Sequence, residues 1–262
     1  MSTGVEVNFE MHEADVGKKF ITEVYESPLA KDIFGDTFRP GGLQLTTRAA
    51  DVADVNKTHL VLDIACGEGA TVGFLALQYK CRVFGIDFSR ELLVRAQHSQ
   101  QGKYLSEMVD FVQGDAEELP FTDETFDVII SECSFSLLPD KKTAAFEFNR
   151  VLKPGGKLVI TDVVLWGQIE EELQNQATFA MCVAGAKSLE DYVNLFQQTC
   201  FITYCIEDHS AELRKLARAM LMDGSSAKAF FALSHQAESK KIWRRLFNEG
   251  KPGYALIAMT KL

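Results

Sequence analysis

Short apolar runs alternate with amphipathic stretches along most of this chain. The runs at 59–65, 81–87, 109–113, 126–132, 157–164, 201–206 and 254–260 are rich in Val, Ile, Leu and Phe and are bounded by Gly, Pro or acids. Runs of that length and make-up predict strands. Between them, 70–79, 89–101, 140–152 and 188–199 carry apolar residues at helical spacing. Ser89 and Asp140 stand where N-caps belong, and Ser188-Leu-Glu-Asp191 resembles a capping box with Asp in place of Glu. Lys153-Pro154-Gly155-Gly156 stops one helix and turns into the next strand. The alternation predicts an α/β protein: a seven-stranded, mostly parallel sheet with helices on both faces.

Two regions exceed what such a sheet needs. Residues 1–58 precede the first strand and read as a helical cap, interrupted at Arg39-Pro40-Gly41-Gly42. Residues 208–250 read as a helical insertion before a final strand at 251–262. With the core at 59–207, all 262 residues read as a single domain with helical additions. Additions of this kind either fold over the carboxyl ends of strands and shape a substrate pocket or only cover the sheet. No internal repeat or low-complexity linker interrupts the pattern.

Charge narrows the choice of partner. A net charge of −10 argues against a nucleic-acid binder, which needs a basic face. Arg214, Lys215, Arg218, Lys228, Lys240, Lys241, Arg244 and Arg245 cluster late in the chain, a pattern read as a solvated helix face. No apolar stretch approaches the ~18 residues of a membrane span, and the N-terminus lacks an apolar signal core, so a cytoplasmic protein is expected. The six cysteines (66, 81, 133, 182, 200, 205) form no CxxC pair and no zinc spacing. They are expected to be reduced and mostly buried, with no metal centre.

The chemistry concentrates in Val61-Leu62-Asp63-Ile64-Ala65-Cys66-Gly67-Glu68-Gly69 and Val83-Phe84-Gly85-Ile86-Asp87. A strand ends on an acid and turns through a glycine loop into a helix, and a second strand ends on another acid. This suits a small ligand with an amine at one end and a ribose at the other. Glycines let backbone N–H groups approach closely, and Asp87 stands where a parallel sheet presents a carboxylate to ribose hydroxyls. Each charge-assisted hydrogen bond from Asp87 is worth about 1.5–3 kcal/mol. A dinucleotide is disfavoured: Val72 occupies the third glycine position of that fingerprint, and Glu68 would repel a pyrophosphate.

Five segments in order resemble the class I S-adenosylmethionine (SAM) dependent methyltransferases: Asp63 to Gly69, Asp87, Gly114-Asp115-Ala116, Phe126-Asp127-Val-Ile, and Val151-Leu-Lys-Pro-Gly-Gly156. The resemblance spans about 59–164 and implies a Rossmann-like sheet with SAM as cofactor and S-adenosylhomocysteine as product. It implies that Asp63 faces the methionine amine while Ala65, Gly67 and Gly69 line the methionine and ribose. Asp87 would hold the ribose, Phe88 pack on adenine, and Asp115 and Ala116 read the adenine edge. Ser131 would approach the methyl-transfer position, and Arg39 or Tyr25 would reach the methionine carboxylate. Asp127, opening a strand far from the active edge, reads as structural.

The segments Ser131-Glu-Cys-Ser-Phe-Ser-Leu-Leu-Pro-Asp140-Lys and Cys182-Val-Ala-Gly-Ala-Lys-Ser-Leu-Glu-Asp191-Tyr resemble small-molecule enzymes, arsenite methyltransferases above quinone and sterol C-methyltransferases. Cys182 sits where one arsenic-binding thiolate of that group would be. Val72 replaces the thiolate expected after the glycine loop, and no cysteine follows Cys205, so the three-thiolate set is incomplete. Catalytic candidates are therefore Glu132, Cys182 and His209, with His12 a further possible base. The expected reaction is in-line methyl transfer to a small molecule. The alternative is a SAM-binding protein without transfer activity that regulates a partner. Oligomeric state is not legible.

Overall fold

The computed structural model describes residues 13–27, 39–100, 105, 107–169, 176–222 and 251–262. Among the described residues, two helices precede the sheet, α1 (Glu13–Glu26) and α2 (Gly42–Val52). The βα series follows: β1 (Leu60–Ile64), α3 (Ala70–Tyr79), β2 (Arg82–Asp87), α4 (Arg90–Gln100), β3 (Val109–Gln113), β4 (Phe126–Glu132) and α5 (Lys141–Val151). The second half comprises β5 (Leu152–Leu165), α6 (Gln176–Ala180), β6 (Lys187–Ser188), α7 (Leu189–Gln198), β7 (Phe201–Asp208), α8 (Ser210–Met222) and β8 (Pro252–Lys261). His12, Lys228, Lys240, Lys241, Arg244, Arg245 and the late part of the 208–250 insertion lie outside the described residues.

The strands form one sheet in the order β3-β2-β1-β4-β5-β8-β7, with the two-residue β6 added beside β5. All pairings are parallel except those of β8, which runs antiparallel between β5 and β7. The sheet is therefore the expected mostly parallel one, with an eighth short strand that two residues cannot announce by periodicity. Burial explains the composition: Val61 to Ile64 in β1 are buried throughout, as central parallel strands covered on both faces must be. Successive residues feed opposite cores. Leu62, Ile64, Ile129, Phe135, Phe148 and Phe196 pack on one face, and Val61, Val72, Leu75, Val83 and Val128 on the other. Phe135 sits 5.0 Å from the Phe196 ring, so its loss would open a cavity costing about 3–5 kcal/mol.

Local chemistry sets the element boundaries. Asp140 accepts the N–H groups of Lys142 and Thr143 at the start of α5, the Ser89 hydroxyl accepts from Leu92, and Ser188 accepts from Asp191. Asp127 holds the first residue of β1 in place, accepting from Leu60 N–H at 2.8 Å while Lys153 neutralises its other oxygen. One boundary moves. β5 begins at Leu152, opposite Phe126, and its register then jumps so that Lys157 pairs with Val128. The Pro-Gly-Gly segment is thus a bulge inside the strand ladder, with Gly155 at φ 73°.

Candidate active site

The loop after β1 reverses direction through three left-handed residues, Ala65 (φ 55°), Gly67 (φ 53°) and Gly69 (φ 77°). Glycine relieves the strain at two of them; a Cβ on Gly69 would also stand 2.8 Å from the Phe111 ring. The loop is tied to β2, since Cys66 N–H donates to the Ile86 carbonyl and Gly67 N–H donates to Asp87 Oδ2 at 2.8 Å. Asp87 Oδ1 accepts from Ser89 N–H at 2.8 Å. Burial raises the Asp87 pKa, while these two backbone donors pull the other way.

A cavity of about 180 Å³ opens at the carboxyl ends of the central strands. Following the strand order, Gly114–Ala116 after β3 line one side, Asp87 and Phe88 come next, then Ala65–Glu68, and Glu132, Cys133 and Ser134 close the β4 side. α1 roofs it with Lys18, Ile21, Thr22 and Tyr25. Phe88 is half exposed, and Ala116 is a lining residue as well. Gly69 shapes the loop without lining the cavity.

Asp63 lies buried beneath the loop, and its Oδ2 has no hydrogen-bond partner among the described residues. Burial pushes its carboxyl well above the usual range; the Glu132 charge adds to this and Arg39 opposes it. Such a buried acceptor costs stability unless a donor meets it, and an ammonium group is a fitting one. Glu132, in contrast, is fully engaged. Arg39 Nη2 lies 3.1 Å from its Oε2, with Thr71 Oγ1 at 2.7 Å and Thr46 Oγ1 at 3.1 Å. Glu132 is thus tied to the Arg39 guanidinium and to two threonine hydroxyls.

The remaining candidates divide. Asp115 lines the cavity, but its Oδ2 is paired with Lys18 Nζ at 2.6 Å and its Oδ1 accepts from Glu117 N–H. Ser131 is fully buried, with its hydroxyl 2.8 Å from that of Ser134, so Ser134 rather than Ser131 reaches the cavity wall. His209 is not a lining residue. Its Nε2 lies 2.9 Å from Glu207, which also binds Arg48, at the end of β7. Tyr25 donates to the Ala180 carbonyl at 3.1 Å.

Cys182 comes to the site through a partner that sequence reading did not pair with it. The Cys133 and Cys182 sulfurs are 3.5 Å apart, and Cys182 Sγ–H donates to the Cys133 carbonyl. The hydrogen bond with Cys182, reinforced by burial, holds the Cys133 thiol well above its usual pKa. Lys18 and Cys133 were the residues missed. Cys133 directly follows the strand-end Glu132, a position that signals a cavity wall. Nothing in the N-terminal helix marks Lys18.

Strand order, glycine loop, buried acid and roofed cavity define a Rossmann-like α/β enzyme of the nucleoside-binding kind. The chain matches the family model described as "Methyltransferase domain" over residues 56–251. It belongs to this methyltransferase family, as its motifs implied. Methyltransferase GfsG of Streptomyces halstedii is 29% identical over 86% of this chain and 82% of its own. An arsenite methyltransferase of Halobacterium salinarum is 32% identical over 58% of this chain and 40% of its own. Among solved structures, Haemonchus contortus phosphoethanolamine N-methyltransferase 2 in complex with S-adenosyl-L-methionine superposes with a TM-score of 0.78. It is 20% identical, over 94% of this chain and 60% of that one.

Proposed function

We propose that the chain transfers the methyl group of SAM to a compact thiophilic acceptor, with trivalent arsenic carried on small thiols as the representative. The observation that carries this reading is the Cys133–Cys182 pair, whose sulfurs lie 3.5 Å apart, Cys133 lining the β4 side of the cavity and Cys182 buried beside it. Two sulfurs this close bond one soft centre together, and soft sulfur suits soft arsenic. A third protein thiolate is absent from the cluster, so a small thiol is expected to complete the arsenic coordination.

SAM supplies an electrophilic methyl on a sulfonium. Asp63 would receive the ammonium and Asp87 the ribose hydroxyls, while Gly67 would leave room for backbone contact. Arg39, fixed by Glu132, meets the methionine carboxylate. Phe88, Asp115 and Ala116 flank the adenine. Cys133 and Cys182 then position the acceptor. An arsenic lone pair needs no base to attack, which agrees with Glu132 being tied to Arg39 and His209 lying off the cavity. Alignment of donor and acceptor supplies several kcal/mol of the barrier. The working thiols must be reduced, which fits a cytoplasmic setting.

The test follows methyl-labelled SAM with arsenite and glutathione, beside phenols, amines and simple thiols. Label is expected on arsenic, lost in Cys133→Ser and in Cys182→Ser, with SAM affinity within about twofold of the parent. Arsenic labelling that survives both substitutions, or label confined to phenols or amines, sinks the thiophilic reading.

A further inference from the structure

The cysteine pair has a third neighbour that methyl transfer does not use. Asp162, in β5 next to β4, is buried, and one of its carboxylate oxygens and the two sulfurs all lie within 4.8 Å of one another. Three donors hold this carboxylate: Ser136 N–H at 2.7 Å, the Ser136 hydroxyl at 2.8 Å and Val163 N–H at 2.6 Å. These are the outer-shell bonds that orient a ligating carboxylate. The cysteines are also fixed, since both adopt left-handed backbone (φ 55° and 65°) and Cys133 N–H donates to the Thr161 carbonyl at 2.6 Å.

We propose that Cys133, Cys182 and Asp162 form a binding site for one thiophilic divalent cation, Zn²⁺ or its softer congener Cd²⁺. The spacing suits it. Two metal–sulfur bonds of ~2.3 Å at a tetrahedral angle set their sulfurs roughly 3.8 Å apart, within a few tenths of an ångström of the 3.5 Å observed. Two sulfurs exclude Mg²⁺ and Ca²⁺, which take oxygen ligands. Each thiol loses its proton to solvent as its metal–sulfur bond forms. The resulting three negative ligand charges face a doubly charged ion and the neighbouring Lys141, whose ammonium acts on both Asp162 and Cys182. Three protein ligands leave a tetrahedral ion one further position. The site stands on these side chains alone. Its consequence, that a bound ion occupies both thiols and blocks the acceptor, rests on the function proposed above.

Cd²⁺ titrated into the full-length reduced protein tests the site through the ultraviolet absorption of cadmium–thiolate bonds. Absorption saturating at one equivalent is expected. Cys133→Ser and Cys182→Ser should each remove half or more of it, and Asp162→Asn should weaken binding tenfold or more. Should Asp162→Asn fail to fold, Ser136→Ala, which removes one donor to the carboxylate, should weaken binding severalfold. Cys200→Ser and Cys205→Ser should leave it unchanged. No saturable absorption, absorption insensitive to Cys133→Ser and Cys182→Ser, or unaltered affinity in a folded Asp162→Asn or Ser136→Ala protein overturns the proposal. Stoichiometric Cd²⁺ with undiminished arsenic methylation supports the site and refutes the acceptor assignment instead.

Discussion

Asp63→Asn should make the cofactor-free protein more stable and the enzyme worse. In the native fold Asp63 is 3% exposed, its Oδ2 meets no donor among the described residues, and Glu132 adds like charge. Its folded pKa therefore lies above the unfolded value of ~3.9. Between those two values the native state binds more protons, so this group's contribution to stability falls as pH rises through that window. Above it, the full cost of a buried charge remains. Replacing the carboxylate with an amide removes that cost. Leaving a buried acceptor unmet costs about 1–3 kcal/mol, and 1 kcal/mol is worth about 2–4 °C in a domain of this size. The expected gain at pH 8 is thus a few degrees, shrinking to nothing near pH 4. The same substitution removes a charged partner for the ligand ammonium, worth about 1.5–3 kcal/mol, so SAM should bind roughly tenfold to a hundredfold more weakly. Thermal unfolding at several pH values and calorimetric titration with SAM read the two effects. A variant that melts lower at pH 8, or binds SAM as tightly as the parent, refutes the assignment of Asp63 as an unmet ammonium acceptor.

Lys18→Ala should loosen the roof: it removes the pairs to Asp115 and Glu117, both 2.6 Å, at a cost of about 1 kcal/mol. SAM affinity should fall severalfold with faster amide exchange in α1, and unchanged exchange would contradict a strapping role. Gly69→Ala places a side chain at φ 77° and 2.8 Å from the Phe111 ring, so urea unfolding should show a loss of about 2–4 kcal/mol. The hydrogen bond from Arg48 pulls Glu207 down to about 2, below its unfolded value of ~4.3. The pair therefore stabilises above that unfolded value, and its contribution is lost as pH falls from about 4 to 2. With Arg48 half exposed, the contribution is small and screened by salt. Glu207→Gln should remove this acid-side slope, and an unaltered slope would show that the pair does not form in solution.

The parts of the site that follow local rules were legible before any coordinates. Val61 to Ile64 and Val83 to Asp87 read as buried parallel strands because both faces of the sheet are covered, and their terminal acids fall at the cavity by position alone. The caps at Ser89, Asp140 and Ser188 are equally local. What escaped depends on contacts between distant segments. The contacts of Glu132 are of this kind: Arg39, Thr46 and Thr71 converge on it from the turn before α2, from α2 and from α3. Cys133 and Cys182 are 49 residues apart, and only the packing of the segment after α6 against the end of β4 makes them a pair. His209 lies between the edge strand β7 and α8, where Glu207 rather than the cavity claims its ring. Ser131 sits one strand-end acid away from the cavity, and its neighbour Ser134 takes up its hydroxyl.

The distribution of charge around the glycine loop selects its ligand. Glu132 is matched by Arg39 at 3.1 Å and Glu68 by Arg95 at 3.3 Å, yet Asp63 and Asp87 form no ion pair among the described residues. The fold therefore holds one buried carboxylate, Asp63, and one partly buried at the cavity wall, Asp87, and desolvation raises the pKa of both. A ligand rich in phosphate would add like charge to both, at a large cost in so dry a setting. On the proposed reading, a ligand carrying an ammonium and a sulfonium would relieve them, with its carboxylate directed to Arg39. Loss of the sulfonium charge after transfer leaves the product with less of that attraction than the donor had.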